Sequence, residues 1–312
     1  MNKEMKRAHV GRLAVLLSGL LLAACVTAPP APSKAPEPPP VAEPVKPPPV
    51  KRPPPKIALA LGGGAAKGFA HIGVIKALEA QDIHPSIVVG TSAGSVVGSM
   101  YAAGKNGFEL QELAMQLDKS SLSDWTIFGK GALKGEALQD FINKAVGQRP
   151  IEKLGKTFAA VATDAGSGEP ILFQVGNTGM AVRASSSVPG VFQPVPISGR
   201  EYVDGGLVAP IPVRFARSLG ADLVIAVDIS EKPQQGKTDS TFALLMQTFN
   251  IMGHALGRQE LEKADFVIRP KILDLSSTNF ETRHQAVLEG EKAAAKVMPD
   301  IRAWLARWAE PR

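Results

Sequence analysis

The chain has 312 residues, a single cysteine and a formal net charge of +6. One cysteine excludes an intrachain disulfide. The charge argues against a polyanion-binding domain, because residues 1–24 carry a net +3 and residues 25–55 a net +2, leaving only +1 for residues 56–312. That last stretch has no basic cluster interleaved with aromatics, so nucleic acid is a poor partner. Its roughly 255 residues are enough for one sizeable α/β core.

In chain order, residues 1–24 read as a secretory signal: Lys3, Lys6, Arg7 and Arg12 precede the apolar run "LAVLLSGLLLAA", too short for a comfortable span and ending in small residues. An uncleaved membrane anchor is the alternative. "LAAC", Leu22 to Cys25, resembles the bacterial lipobox, in which cleavage before the cysteine is followed by its acylation. A lone cysteine in an exported chain needs such an explanation, and several acyl chains make a stable anchor. Residues 25–55 are then a lipidated cysteine and a proline-rich tether, biased to extended polyproline II and able to reach on the order of 80 Å. Val26 and Thr27 follow Cys25 with no aspartate. By resemblance to lipoprotein sorting, that points to an outer-membrane anchor facing the periplasm.

Residues 56–312 alternate strand, glycine turn and helix. "KIALALGGG" reads as a buried strand entering a glycine loop, and Lys67 to Gln81 as a helix with one apolar side. "HPSIVVG" is a second strand, and "SAGSVVGSMYAAG" a small-residue helix ending at Gly104. This alternation predicts a mostly parallel sheet with helices on both faces. "GFELQELAMQLDK" and "GEALQDFINKAVG" follow as helices. The strands "TFAAVATDAG", "PILFQVG", "REYVDGG" and "ADLVIAVDIS" come next, then an exposed loop from Glu231 to Ser240. A helix over about Thr241 to Glu262, the strand "DFVIRPK" and a closing helical region complete the domain. Met298-Pro299-Asp300 should kink or break that last region.

Two turns carry the chemistry. Gly90-Thr91-Ser92-Ala93-Gly94 fits G-x-S-x-G, in which a serine is lifted onto a sharp strand-to-helix turn and Gly90 and Gly94 make room for the close backbone approach. Ser92 would sit at a helix N-terminus, which favours developing negative charge. "GGGAAKG", Gly62 to Gly68, offers bare N–H groups at another helix start. It misses the dinucleotide G-x-G-x-x-G spacing and lacks the Gly-Lys-Ser/Thr ending of a P-loop. The favoured reading is an oxyanion hole built from Gly62, Gly63, Gly64 and Ala65. A base is still required. His254 and His284 lie in helices without loop signals and read as surface or capping residues. Asp204, ahead of Gly205 and Gly206 at a strand end, is the better candidate, although Asp-Gly-Gly is also an ordinary turn.

In this order the three segments resemble the patatin-like phospholipase family. That resemblance implies a three-layer α/β/α fold and a Ser-Asp dyad without histidine, with Ser92 as nucleophile and Asp204 as its base. It covers residues 56–228 densely, "TDAGSGEPILF" and "AVRASSSVPGVFQPV" included, and the remainder loosely. Ala209 departs from the family's usual asparagine in D-G-G-x-x-N-P, which should alter a loop bond and not the chemistry. Lys67 matches the family's basic residue in the glycine loop and has a structural role. The expected reaction is acyl transfer from a lipid ester or phospholipid through an acyl-enzyme. No cofactor or metal is expected, since no His/Cys cluster has ligand spacing. The alternatives are a non-catalytic envelope module that binds lipid or a partner protein, a Ser-His-Asp hydrolase, and a nucleotide-binding domain. Leu122 to Gly135, with Trp125, Ile127 and Phe128, is either a membrane-facing flap or core packing, the latter favoured.

Overall fold

The computed structural model describes residues 52–116, 134–230, 240–272 and 282–310. The expected signal, Cys25, most of the tether, the Trp125 segment and most of the Glu231–Ser240 loop lie outside those residues.

Among the described residues eight strands form one mixed sheet: β1 (Ile57–Leu61), β2 (Ile87–Thr91), β3 (Thr157–Asp164), β4 (Pro170–Phe173), β5 (Val195–Ile197), β6 (Arg200–Asp204), β7 (Leu223–Val227) and β8 (Phe266–Ile268). The order is β5-β6-β3-β2-β1-β7-β8, with β4 pairing β3 off this path. The run β3-β2-β1-β7-β8 is parallel, whereas β4, β5 and β6 join antiparallel. Strands β1, β2 and β7 are buried along their whole length, as parallel strands covered on both faces must be.

Alternate residues serve opposite faces of the sheet. Leu59, Leu61, Val88, Phe158, Ile225 and Val227 belong to the larger core, and Ala58, Ala60, Val89, Val161, Val224 and Ala226 to the smaller. Three helices on the first face are α1 (Phe69–Glu79), α2 (Ala93–Ala102) and α3 (Gly107–Gln116). Two more, α4 (Glu136–Ala145) and α5 (Thr178–Ser185), contribute Leu138, Ile142 and Val182 to the same core. The opposite face is covered by α6 (Val213–Ser218), followed by α7 (Thr241–Leu261). This is the three-layer α/β/α arrangement. Helix α5, strand β5 and helix α6 are additional to the elements read from the sequence; each has eight residues or fewer, too short for a clear period.

The last helix, α8 (Arg283–Ala309), is not broken at Pro299, as one form of the expectation had it: it continues through the proline. Pro299 and Ala295, whose carbonyl loses its partner to the proline, both lie on the exposed side, so water can take up the freed bond. Packing elsewhere holds the helix. α8 lies so close to α1 that a Cβ on Gly73 would fall 1.9 Å from the Val287 carbonyl oxygen, and one on Gly290 2.0 Å from that of Ala70. Among the described residues no helix is long and apolar enough to cross a membrane.

Candidate functional site

Ser92 links β2 to α2 with φ 51° and ψ −122°, a conformation that a residue with a side chain adopts only under strain. The turn is tight because its glycines touch backbone. A Cβ on Gly90 would lie 2.4 Å from the Gly94 carbonyl oxygen, and one on Gly94 2.1 Å from that of Leu61. The Ser92 N–H donates to Ser185 Oγ at 2.9 Å, and Ser185 Oγ donates to the Val161 carbonyl at 2.6 Å. Ser185 thereby ties the elbow to β3, a role that its place within "ASSSVPG" did not disclose.

The sheet register brings Asp204 to this turn. On β3, Ala160 and Val161 pair with both β2 and β4, and Ala162 and Thr163 pair with both β4 and β6. A strand has two edges, so β2 and β6 must share the edge opposite β4 and meet end to end. Thr91 ends β2 opposite Val161, and Asp204 ends β6 opposite Ala162. A parallel and an antiparallel strand thus bring Thr91 and Asp204 to adjacent register positions, and Ser92, which follows Thr91 directly, lies 112 positions from Asp204 in the chain.

Asp204 is buried. Its Oδ1 accepts from the Gly206 N–H at 2.7 Å, and its backbone carbonyl accepts from Thr163 Oγ1 at 2.8 Å. Burial pushes the carboxyl up to about 6, against the opposing pull of the Gly206 N–H and the Ser92 hydroxyl. The Ser92 contact is a loose one, since Oδ2 has no partner at full hydrogen-bond geometry. Such contacts commonly tighten only when substrate is bound. Gly205 must lack a side chain, because its Cβ would lie 2.1 Å from the Val161 carbonyl oxygen. Ala209, where asparagine was expected, serves through its backbone: its carbonyl accepts from Thr91 Oγ1 at 2.8 Å, and its N–H donates to the Gly205 carbonyl at 2.8 Å.

The glycine loop narrows the expected set of oxyanion donors. The Gly62 N–H donates to the Val227 carbonyl at 3.1 Å and the Gly63 N–H to that of Pro210 at 2.9 Å. Both are therefore unavailable to a ligand. The N–H groups of Gly64 and Ala65 have no partner among the described residues, and both residues line the pocket with Ser92. Ala65 itself has φ 49°. Beneath the loop, the Nε2–H of His71 donates to the Gly62 carbonyl at 2.8 Å. Burial holds the His71 pKa down to about 4, so the ring is neutral at physiological pH and leaves Nδ1 unpartnered. The sequence reading passed over His71 as one residue of a helix. Lys67 is buried and lines the same pocket.

The pocket encloses about 500 Å³ and contains Ser92 and Asp204. Its apolar walls include Leu138, Val188, Val191 and Phe192 together with Phe242, Met246 and Phe249 of α7. The size and apolar lining suit a small-molecule site with few polar groups. His254 also lines the pocket, with no hydrogen bond to Ser92 or Asp204, and His284 is exposed on α8. Neither completes a triad in this arrangement.

The family model for patatin-like phospholipases matches residues 59–217. An uncharacterized NTE family protein from Mycobacterium bovis is 40% identical over 179 residues, covering 56% of this chain and 49% of that protein. Patatin-like phospholipase domain-containing protein 6 from Homo sapiens is 34% identical over 186 residues, 57% of this chain and 14% of that protein. The chain thus spans about half the length of the first of these relatives and far less of the second. Among solved structures, VipD from Legionella pneumophila superposes with a TM-score of 0.53 at 16% identity, covering 80% of this chain and 68% of that one. That is a likeness of fold. The chain belongs to the patatin-like phospholipase family.

Proposed function

We propose that the chain is a serine acyl hydrolase acting on lipid esters, phospholipids among them, with Ser92 as nucleophile and Asp204 as general base. The observation that carries this reading is a strained serine meeting a buried carboxylate where two strands meet end to end, inside an apolar pocket edged by open N–H groups. Asp204 accepts the Ser92 proton as Oγ attacks the ester carbonyl carbon. The oxyanion forms against the N–H groups of Gly64 and Ala65. Collapse of the tetrahedral intermediate breaks the ester bond, and the proton on Asp204 passes to the leaving alkoxide. Water, deprotonated by Asp204, then attacks the acyl-enzyme carbonyl, and collapse releases the fatty acid as the proton on Asp204 returns to Ser92 Oγ. A carboxyl near 6 is a better base at neutral pH than an ordinary aspartate near 4. The same reading includes acylation of Cys25 and tethering through residues 25–55 to the periplasmic face of a bacterial outer membrane, supported by "LAAC" and the absence of aspartate after it.

Two measurements test the reading. A fluorophosphonate probe should label Ser92, and hydrolysis of a nitrophenyl ester by the full chain should drop at least about 10³-fold in Ser92→Ala. Full activity in Ser92→Ala, or labelling elsewhere in its place, overturns it. Metabolic palmitate labelling, lost in Cys25→Ser, tests the anchor separately.

A further inference from the structure

Helix α7 is apolar on two faces. Phe242, Met246 and Phe249 line the pocket, and the Phe249 ring lies against Gly206, next to Asp204. Away from the pocket, Leu244 is 53% exposed, Ile251 51% and Met252 52%. Leu244 and Ile251, seven residues apart, share one outward stripe with Met252 at its edge, whereas Leu245 leans toward Gly190 beside Phe242. From Thr241 to Leu256 the helix has no Asp, Glu, Lys or Arg. It is held at its other end, where Gly257 and Glu260 are its buried residues and Glu260 pairs with Arg214. Scattered apolar residues on a surface need no explanation, but a contiguous patch does.

We propose that the outward face of α7 seats in the surface of a lipid bilayer, so that a lipid ester enters the pocket beneath it directly from the membrane. This rests on the lipid-ester reading of the same pocket. Three observations favour a lipid surface over a protein. Phe242 both lines the pocket and is 40% exposed, making the pocket continuous with the outer face, which a docked protein would close. The stripe itself offers no charged side chain from Thr241 to Leu256, the groups that give protein interfaces their register and specificity, whereas an interfacial helix gains from apolar area. The sequence also puts an acylation motif at Cys25 and an extended segment after it, keeping the domain within on the order of 80 Å of a bilayer.

The first test reads the helix without reference to catalysis. In the full chain carrying Cys25→Ser, an environment-sensitive dye is attached at Ile251→Cys or, as a control, at Phe108→Cys, an exposed apolar position on α3. Mixed phosphatidylethanolamine–phosphatidylglycerol vesicles with spin-labelled acyl chains should quench the dye at 251 and leave that at 108 unchanged. No quenching at 251, or equal quenching at both, overturns the proposal. The second test uses Leu244→Asp/Met252→Asp. Hydrolysis of vesicle phospholipid should fall about tenfold while kcat/KM for a soluble short-chain ester changes less than about twofold. Equal losses on both substrates overturn the proposal, as does a patch that proves to hold two copies of the chain together, seen as a dimer that the double variant dissociates. If wild type hydrolyses neither substrate yet the dye at 251 is quenched, the hydrolase reading fails and the docking surface stands.

Discussion

The two long helices α7 and α8 differ in a direction that composition alone would not suggest. α8 carries charged residues along its whole length and an internal proline, yet it buries Ala286, Val287, Gly290, Ala293, Ala294, Met298 and Ile301. α7 is uncharged over its first sixteen residues, yet its buried residues are Gly257 and Glu260, near its C-terminus. Burial follows the fit between surfaces more than the hydrophobicity of either one. The α1–α8 contact brings the two backbones together at Gly73 and Gly290, with larger apolar side chains packed around them. The pocket beside α7 holds a strained serine and a buried carboxylate, and α7 adds exposed apolar residues, each of which costs stability.

Asp204→Asn breaks this division most directly, and its effects run in opposite directions. Ester hydrolysis should fall about 10²–10⁴-fold, the usual contribution of a positioned general base. Stability should rise. The carboxyl titrates near 6 in the folded protein and near 3.8 when unconstrained, so the folded state binds the proton more tightly. Its stabilising contribution is complete below pH 3.8 and is lost as pH rises through 6, by up to about 3 kcal/mol. A neutral amide at this position carries no such loss. The variant should therefore melt above wild type at pH 8 and match it near pH 4. Wild-type kcat/KM should show an acid limb with an apparent pKa near 6. His71 has the opposite sign: with a folded pKa of about 4 against 6.5, it withdraws stability as pH falls from 6.5 through 4, a slope that Asp204→Asn should uncover. A variant less stable than wild type at pH 8 would mean that the carboxylate is not buried at a cost.

The stability side is sharpened by Gly290→Ala. Helix propensity favours alanine by up to about 1 kcal/mol, but the new methyl would meet the Ala70 carbonyl oxygen at 2.0 Å. Since backbone must move, a net loss of about 2–3 kcal/mol is expected in denaturant unfolding, with ester hydrolysis per folded molecule unchanged. A gain in stability would show that α1 and α8 are not in such close contact.

Most of the sheet and the long helices were legible in the sequence, because continuous apolar runs between glycine turns report buried parallel strands wherever they occur. The tight turns that carry Ser92 and Asp204 were legible through their flanking glycines, which the structure accounts for by backbone contacts at Gly94 and Gly205. The meeting of the two side chains was not, since it depends on β2 and β6 sharing one edge of β3. Which N–H groups of the loop stay open depends on Val227 and Pro210, distant in the chain, which take up those of Gly62 and Gly63. Ser185 and His71 act through single bonds to elements that no local pattern names. The charge-free stretch of α7 was in plain view, but burial would have explained it equally well until the helix was seen to bury so little.

The smallest expected effect isolates strain from chemistry. Ser92→Ala and Ser92→Gly both remove the hydroxyl and should be equally inactive. Only glycine relieves φ 51°, ψ −122°, which costs a side-chain-bearing residue about 1–3 kcal/mol. Glycine also raises the entropy of the unfolded chain, offsetting roughly 0.5–1 kcal/mol of that relief. Ser92→Gly should thus be more stable than Ser92→Ala by about 1 kcal/mol, read as a shift in denaturant midpoint at unchanged slope. The site would then be holding its nucleophile against the preference of its own backbone, as nothing in the α1–α8 contact is held. If the alanine variant is the more stable of the two, the elbow is relaxed, and the contrast between the two sides of the molecule rests on Asp204 and α7 alone.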